Sequence, residues 1–295
     1  MSKKTAVTIT VVANMTSNYS EGLGNIGSVQ KVYKNQKAYA TRSRESLKNA
    51  IMIQSGMYDD LQTESDKKIT QKKVSKELNA ANCRALEGGY MNTKKTTYVR
   101  NSSFYLTDAI SCDGFISETR FHNNLYIASN FAKANGINLQ EKAKDTGLMP
   151  YQYEYDKSLK VYSMTIDLEM IGKDENFSEE ASAQEKTERV IALLDAVKNL
   201  SLIVRGNLDN AEPLFIVGGL SERKTHYFEN VVRVQKEELC ITEDLKDKIA
   251  EGFSVGLLQS ATFKNEMEIM TELKPISVSA FFEKLKGEVK EYYGV

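Results

Sequence analysis

Two stretches of alternation set the frame of this chain. In Thr5 to Asn14, Val7, Ile9 and Val11 fall on one face and Ala6, Thr8, Thr10 and Val12 on the other. In Lys160 to Ile171, Tyr162, Met164, Ile166 and Leu168 oppose Val161, Ser163, Thr165 and Asp167. A side-chain period of two is the mark of strands half-buried against a core. Helical spacing lies between and after them. Ser43 is a plausible N-cap with Glu45 in the first turn, Leu47, Ala50 and Ile51 make an apolar stripe, and Gly56 stands at the C-cap. Ala183 to Leu200 carries Val190, Leu193, Leu194, Val197 and Leu200 at helical spacing. Strand character returns over residues 103–117, and Pro213 to Gly218 and Tyr227 to Val234 read as strands flanking a polar turn. Two helices close the chain, one from about Thr242 to Gly252. The other runs from Ser277 to Tyr293, with Phe281, Phe282, Leu285 and Val289 inward.

With its excursions removed, the chain reads strand, helix, strand, strand, helix, strand. This is the α+β, ferredoxin-like βαββαβ order, which RNA-recognition (RRM-like) domains also use. Length allows one large domain or two ordinary ones, and residues 1–295 are taken as one core with insertions. The first insertion, 57–101, is basic: Lys67, Lys68, Lys72, Lys73, Lys76, Arg84, Lys94, Lys95 and Arg100 outnumber Glu77 and Glu87 between Lys67 and Arg100. The second spans 117–155. Both are too long for plain connectors, which points to function. Glu175 to Glu188 is acidic, either a solvated linker or a surface facing a neighbour's cations.

The densest charge signal is Lys31 to Lys48, KVYKNQKAYATRSRESLK, where Lys31, Lys34, Lys37, Arg42, Arg44 and Lys48 meet only Glu45. The net charge is -1, so this is a local field and not a uniformly basic protein. Cations where a loop enters a helix start make a phosphate site. The parts of an enzyme are missing by comparison. The two histidines, His122 and His226, lack metal-ligand spacing, and there is no GxSxG elbow or Walker loop. Gly22, Gly24 and Gly27 spell GxGxxG after a strand, but some fifteen polar and basic residues separate them from the helix that a dinucleotide site needs at once. The acid pairs Asp59-Asp60 and Glu179-Glu180 read as solvated faces. Cys83, Cys112 and Cys240 form no CxxC pair and suit a reducing cytoplasm. Residues 1–15 are threonine-rich without a small-residue cleavage site, and no run approaches the roughly 18 apolar residues of a membrane span. The expectation is a cytoplasmic, non-catalytic protein without cofactor, metal or membrane partner.

GNIGSVQKVYKNQKAYATRSRESLKNAIMIQSG resembles the backbone subunit of the type I CRISPR surveillance complex (Cascade), in its DevR-type form of subtype I-B within the RAMP superfamily. The shared pattern is a first strand, a loop with Gln30-Lys31, a basic strand, and the helix start Ser46-Leu47-Lys48. Weaker similarity reaches Ile110 to Glu118, Asn130 to Lys133, Gly147 to Tyr155 and Pro213 to Val234, so the outline covers the chain. The resemblance implies a palm with fingers (57–101) and a thumb (117–155), and many copies lined up on one CRISPR RNA. It implies RNA contacts by Gln30, Lys31, Arg42, Ser43, Arg44, Ser46 and Lys48, and thumb contacts by Phe131 and Lys133. Leu148 and Met149 are an alternative thumb tip. Its partners would be CRISPR RNA, the target DNA strand, further copies of itself and other Cascade subunits. The alternative within the superfamily is an endoribonuclease that processes the precursor transcript. Val217-Gly218-Gly219-Leu220 is a poor match to the glycine-rich C-terminal loop of cleaving relatives, which favours the holder.

Overall fold

A computed structural model describes residues 4–19, 26–66, 69–94, 96–204 and 206–295. Gly22 and Gly24, with Lys67, Lys68 and Lys95, lie outside the described residues. The core follows the expected order: β1 Ala6–Thr16, α1 Arg44–Gln54, β2 Ala109–Ser111, β3 Lys157–Asp167, α2 Ala183–Lys198 and β4 Pro213–Ser221. In the sheet β4 lies beside β1, β1 beside β3, and β3 beside β2. All three pairings are antiparallel, with Val7 opposite Ile166 on one side and Leu220 on the other. That is the ferredoxin-like strand order. Past β4 the chain adds α3 Glu243–Ala250, β5 Ser254–Leu257, α4 Glu266–Leu273 and α5 Val278–Tyr293.

Alternation sorts the two faces as the sequence implies. Val7, Ile9, Val11, Ala13 and Met15 join Tyr162, Met164 and Ile166 beneath α1, α2 and α5, whose Leu47, Ile51, Leu193, Val197, Phe281 and Phe282 are buried with them. Burying one such side chain contributes about 1.5–3 kcal/mol. The opposite face divides. One half is apolar, Val12, Phe215 and Val217 packing with Phe228, Leu245, Val255 and Ile269. The other half is polar and paired: Thr10 bonds Ser163 at 2.7 Å, and Thr8 and Thr165 both donate to the Thr225 carbonyl. Ser43, Ser182, Thr242 and Ser277 are N-caps, each hydroxyl accepting from an amide three residues on.

Some expectations need correction. Tyr227 to Val234 is not a strand: the segment turns, and only Val234–Gln235 pairs, with Glu238–Leu239. Its apolar residues are buried because Phe228 and Val232 plug the second core, which mimics a strand in sequence. Residues 103–117 give two short strands, Phe104–Leu106 and Ala109–Ser111, not one. Gly218 and Gly219 are inside β4, opposite Ile9 and Thr8, so they serve close strand packing and form no loop.

The 57–101 insertion is held by charge in a way composition could not show. Glu87, fully buried, accepts from Arg189 Nη1 at 2.7 Å, Arg100 Nη2 at 3.1 Å and the Gly172 amide at 2.6 Å, and from the Ser103 hydroxyl. Arg84 reaches across to Glu185 and Glu188 on α2. Lys72 donates to the Ala85 and Gly89 carbonyls. Arg84, Arg100 and Lys72 are thus structural cations. The acidic stretch is also used internally: Glu185 and Glu188 face Arg84, Glu180 pairs with Lys186, and Glu179 accepts from Asn79.

Candidate nucleic-acid interface

The basic segment is a hairpin, not a plain loop. Lys31–Lys34 pairs antiparallel with Lys37–Arg42, and Asn35 and Gln36 make the turn at φ 49° and 63°. Two positive φ values in a two-residue turn match the strand twist. The hairpin lies at the end of the sheet beyond β2, with Ala109 opposite Arg42, and feeds through Ser43 into α1. Its outer half stands clear of the body: Lys34 and Lys37 are exposed and Tyr33 is 78% exposed.

The residues singled out from sequence are brought to one region but do different work. Gln30 accepts from the Asn18 side chain at 2.6 Å, and Asn18 in turn accepts from the Ser43 amide. Lys31 is not free: its ammonium lies 2.5 Å from Glu154 and 4.7 Å from the Phe115 ring centre. Ser43 Oγ caps α1 by accepting from the Ser46 amide at 3.3 Å, and Ser46 is half-buried. Arg44 is exposed and pairs only with Glu45 at 2.8 Å, a contact too weak in water to occupy it.

Arg42 and Lys48 differ most from solvent-facing phosphate ligands. Arg42 is 5% exposed. Its Nη1 donates to the Thr16 carbonyl at 3.4 Å, and its Nε is buried without a partner among the described residues. Burial lowers its pKa, with Asp209 acting against that. Lys48 turns inward to the Gly88 carbonyl and the Ser102 hydroxyl, each at 2.8 Å. Burial, reinforced by Lys72 and Arg100 and opposed by Glu45, brings its pKa down to about 8 from an ordinary 10.5. Between those values the unfolded chain holds a proton that the folded one lacks, so this group adds stability as pH rises through the window. We expect Lys48→Met to flatten the stability gained between pH 8 and 10.5 by roughly 1–2 kcal/mol, after allowing for solvent screening. Urea unfolding of both proteins at the two pH values measures it. An identical pH dependence would show that Lys48 titrates normally.

The 117–155 excursion is a lobe on a two-stranded stalk. Thr119–His122 pairs with Tyr151–Glu154, and Ile26–Gly27 adds a short parallel strand to Gln152 and Tyr153. Between the stalk strands lies a helix, Leu125–Ala134. Ala128 and Ala132 are its buried side, whereas Tyr126 (82%), Ile127 (69%) and Phe131 (49%) are exposed. Lys133 is exposed beside them. Met149 is exposed and Leu148 half-buried, and Asn124 holds that end by bonding the Gly147 carbonyl and the Met149 amide. On the stalk, His122 stacks at 4.7 Å on Tyr153 and 5.5 Å on Tyr151, while Arg120 lies 3.5 Å over Tyr155. The lobe therefore shows outward apolar side chains of the kind that seat against a partner. Its helix was hidden because those apolar residues carry no inward stripe. The other histidine, His226, is half-buried with Nδ1 2.9 Å from the Thr165 hydroxyl, and burial lowers its pKa. Among the described residues no helix is long and apolar enough to cross a membrane.

The fold and family comparisons agree. Two solved chains match over nearly their whole length. One, described as "CRISPR RNA-guided surveillance complex, pre-nicking", aligns with TM-score 0.62 at 11% identity, covering 97% of this chain and 100% of its own. Another, "CRISPR RNA-guided surveillance complex", aligns with TM-score 0.56 at 13% identity, covering 96% and 99%. At such identities the likeness is one of fold. No curated protein matches the sequence. The family model described as "CRISPR-associated negative auto-regulator DevR/Csa2" matches residues 7–243, which takes in the core from β1 to β4, both excursions and the basic hairpin, and the chain belongs to this CRISPR-associated family.

Proposed function

We propose that this protein is a non-catalytic holder of CRISPR RNA, a backbone subunit of a Cascade-type complex working in the cytoplasm. Copies line up along one guide, each gripping a short length of its sugar-phosphate chain, with the other Cascade subunits at the ends. The bases stay available for pairing with the target DNA strand, so pairing reads sequence while protein reads shape.

The observation that carries this reading is the end of the sheet at the start of α1. Lys34 and Lys37 are exposed at the hairpin tip and Arg44 at the helix start. Exposed cations of this kind can donate to phosphate oxygens. The exposed Tyr126, Ile127 and Phe131 on the lobe support a contact with the neighbouring copy and its RNA. Lys31 and Lys48 enter as supports of the interface, since both ammonium groups already have partners.

Fluorescence anisotropy with a labelled repeat-containing RNA over a salt series tests this. Lys34→Ala and Arg44→Ala are each expected to lower the salt slope by about 0.7, the equivalent of one single-strand phosphate. Lys48→Ala should alter stability more than slope. Wild-type slopes in both exposed-site variants would remove the hairpin from the interface. Specific metal-free cleavage of the same transcript would instead establish an endoribonuclease.

A further inference from the structure

Where α1 meets the first insertion, two lysines converge on one glycine. Lys48 Nζ donates to the Gly88 carbonyl and the Ser102 hydroxyl, and Lys72 Nζ donates to the Ala85 and Gly89 carbonyls. A carbon built on Gly88 would stand 3.5 Å from Lys72 Nζ, 3.6 Å from Lys48 Cε and 3.4 Å from Met52 Cε. Those are ordinary van der Waals contacts, so the two side chains flank a space that admits a carbon-sized group. Lys48 is half-buried, which leaves it open to small molecules from solvent.

The hydrogen bonds of Lys48 suit an amine as well as an ammonium. The Ser102 hydroxyl donates to the Phe104 carbonyl, so toward Lys48 it accepts. Two acceptors use two N–H bonds, and a neutral amine has two, with its lone pair left over. Among the described residues neither lysine has an ion-pair partner; all four acceptors are uncharged. Burial, with Lys72 and Arg100 of the insertion, holds the Lys48 pKa down to about 8, and Glu45 on α1 acts against them. Glu45 is itself engaged by Arg44 at 2.8 Å. A desolvated lysine beside a second cation is the setting in which amines act as nucleophiles. Lys72 is the less suited of the two, because both its acceptors are carbonyls, which would oppose a new anion.

We infer that Lys48 is a modification site that takes up dissolved carbon dioxide as a carbamate. The amine lone pair attacks the carbon of CO2, an N–C bond forms, and one C=O π pair moves onto oxygen. One N–H proton leaves to water. The remaining N–H keeps the Gly88 carbonyl, and the Ser102 hydroxyl turns to donate to a carbamate oxygen. Lys72 and Arg100 supply the counter-charge. The modified side chain carries a negative charge one turn beyond Arg44, where the unmodified ammonium carries a positive one. The inference stands apart from the nucleic-acid reading and does not need it.

The unaltered protein is equilibrated with isotope-labelled bicarbonate at pH 8, and carbamates are fixed with triethyloxonium, which ethylates the carbamate oxygen. Peptide mass spectrometry then locates the label. The expected result is an ethyl carbamate on Lys48 at an occupancy at least about tenfold above the mean of the other lysine peptides. A lysine amine in water is almost wholly protonated at this pH and cannot attack. Lys72→Met should lower the Lys48 occupancy severalfold and Lys72→Arg should retain it, because the neighbouring charge favours both the free amine and the anion it forms. Thermal unfolding followed by circular dichroism confirms that the variants fold. An unlabelled Lys48, or a label spread evenly over the lysines, overturns the site whatever the variants do. Equal occupancy in wild type and a folded Lys72→Met overturns the charge arrangement on which the site depends.

Discussion

Glu87→Ala is expected to cost the folded protein about 3–5 kcal/mol, enough to leave much of the chain unfolded at 37 °C. The Glu87 carboxylate is the acceptor for two guanidinium groups that have almost no access to water, Arg189 at 1% and Arg100 at 4% side-chain exposure. Removing it leaves the buried Arg100 without a counter-charge among the described residues and Arg189 with Glu185 alone, and also strips the Gly172 amide and Ser103 hydroxyl of an acceptor. Arg189 Nη groups retain the Ala80 and Ala81 carbonyls and its Nε retains Glu185, whereas Arg100 retains only carbonyls such as Leu86 and Met170, so Arg100 stays trapped with its charge unmet and Arg189 with half of its acid partners. Urea unfolding followed by circular dichroism measures the loss. Arg189→Met in the Glu87→Ala background should be less destabilising than the two single changes added together, because each then removes a charge that the other leaves stranded. A loss below about 1 kcal/mol for Glu87→Ala would mean that the network is solvated and does not hold the insertion to the core.

Gly218→Ala is the second large effect, expected at about 3 kcal/mol or more. A Cβ on Gly218 would overlap the Thr8 carbonyl oxygen and stand 2.8 Å from the Ile9 Cα. Those are backbone atoms of β1, which is paired on both sides and has nowhere to move. Gly219→Ala is the matched control: its nearest foreign atom is Phe253 Cδ1 at 3.3 Å, a ring that can shift a few tenths of an ångström. Both glycines share a φ of 156°, so that backbone strain is common to the two variants; the Gly219 change should cost less by the missing clash, and the midpoint difference between the two variants is the measurement. Equal midpoints would mean that β1 and β4 separate readily at this point.

The core was legible because burial there follows a simple period. Val7, Ile9 and Val11 point to one layer of helices as the alternation implies, and Ser43 and Ser277 cap the helices their positions announce. What could not be read is whatever depends on a partner distant in sequence. Arg100 and Lys72 look like surface cations until Glu87 and the Ala85 carbonyl are brought to them, and nothing within a short window distinguishes them from Lys34. Arg42 and Arg44 are two residues apart, yet one is buried and the other exposed, because the strand ends between them and the helix starts. The lobe helix failed for the opposite reason. Tyr126, Ile127 and Phe131 face outward, so an apolar pattern that normally reports a core here reports a surface. Phe228 and Val232 show the same ambiguity, being buried without belonging to a strand.

The two margins of the sheet have a consequence for how copies of this chain can meet. One margin ends in the two-residue strand Ile276–Ser277, which at once becomes a helix. The other ends in Lys31–Lys34, a four-residue strand with a lysine at each end. Short terminal strands and lysine gatekeepers give little unpaired backbone for a second sheet to zip onto. If copies line up along one guide as proposed, crowding them would not invite amyloid-like fusion. Copies so arranged would meet through side chains, and removing the guide should return separate molecules.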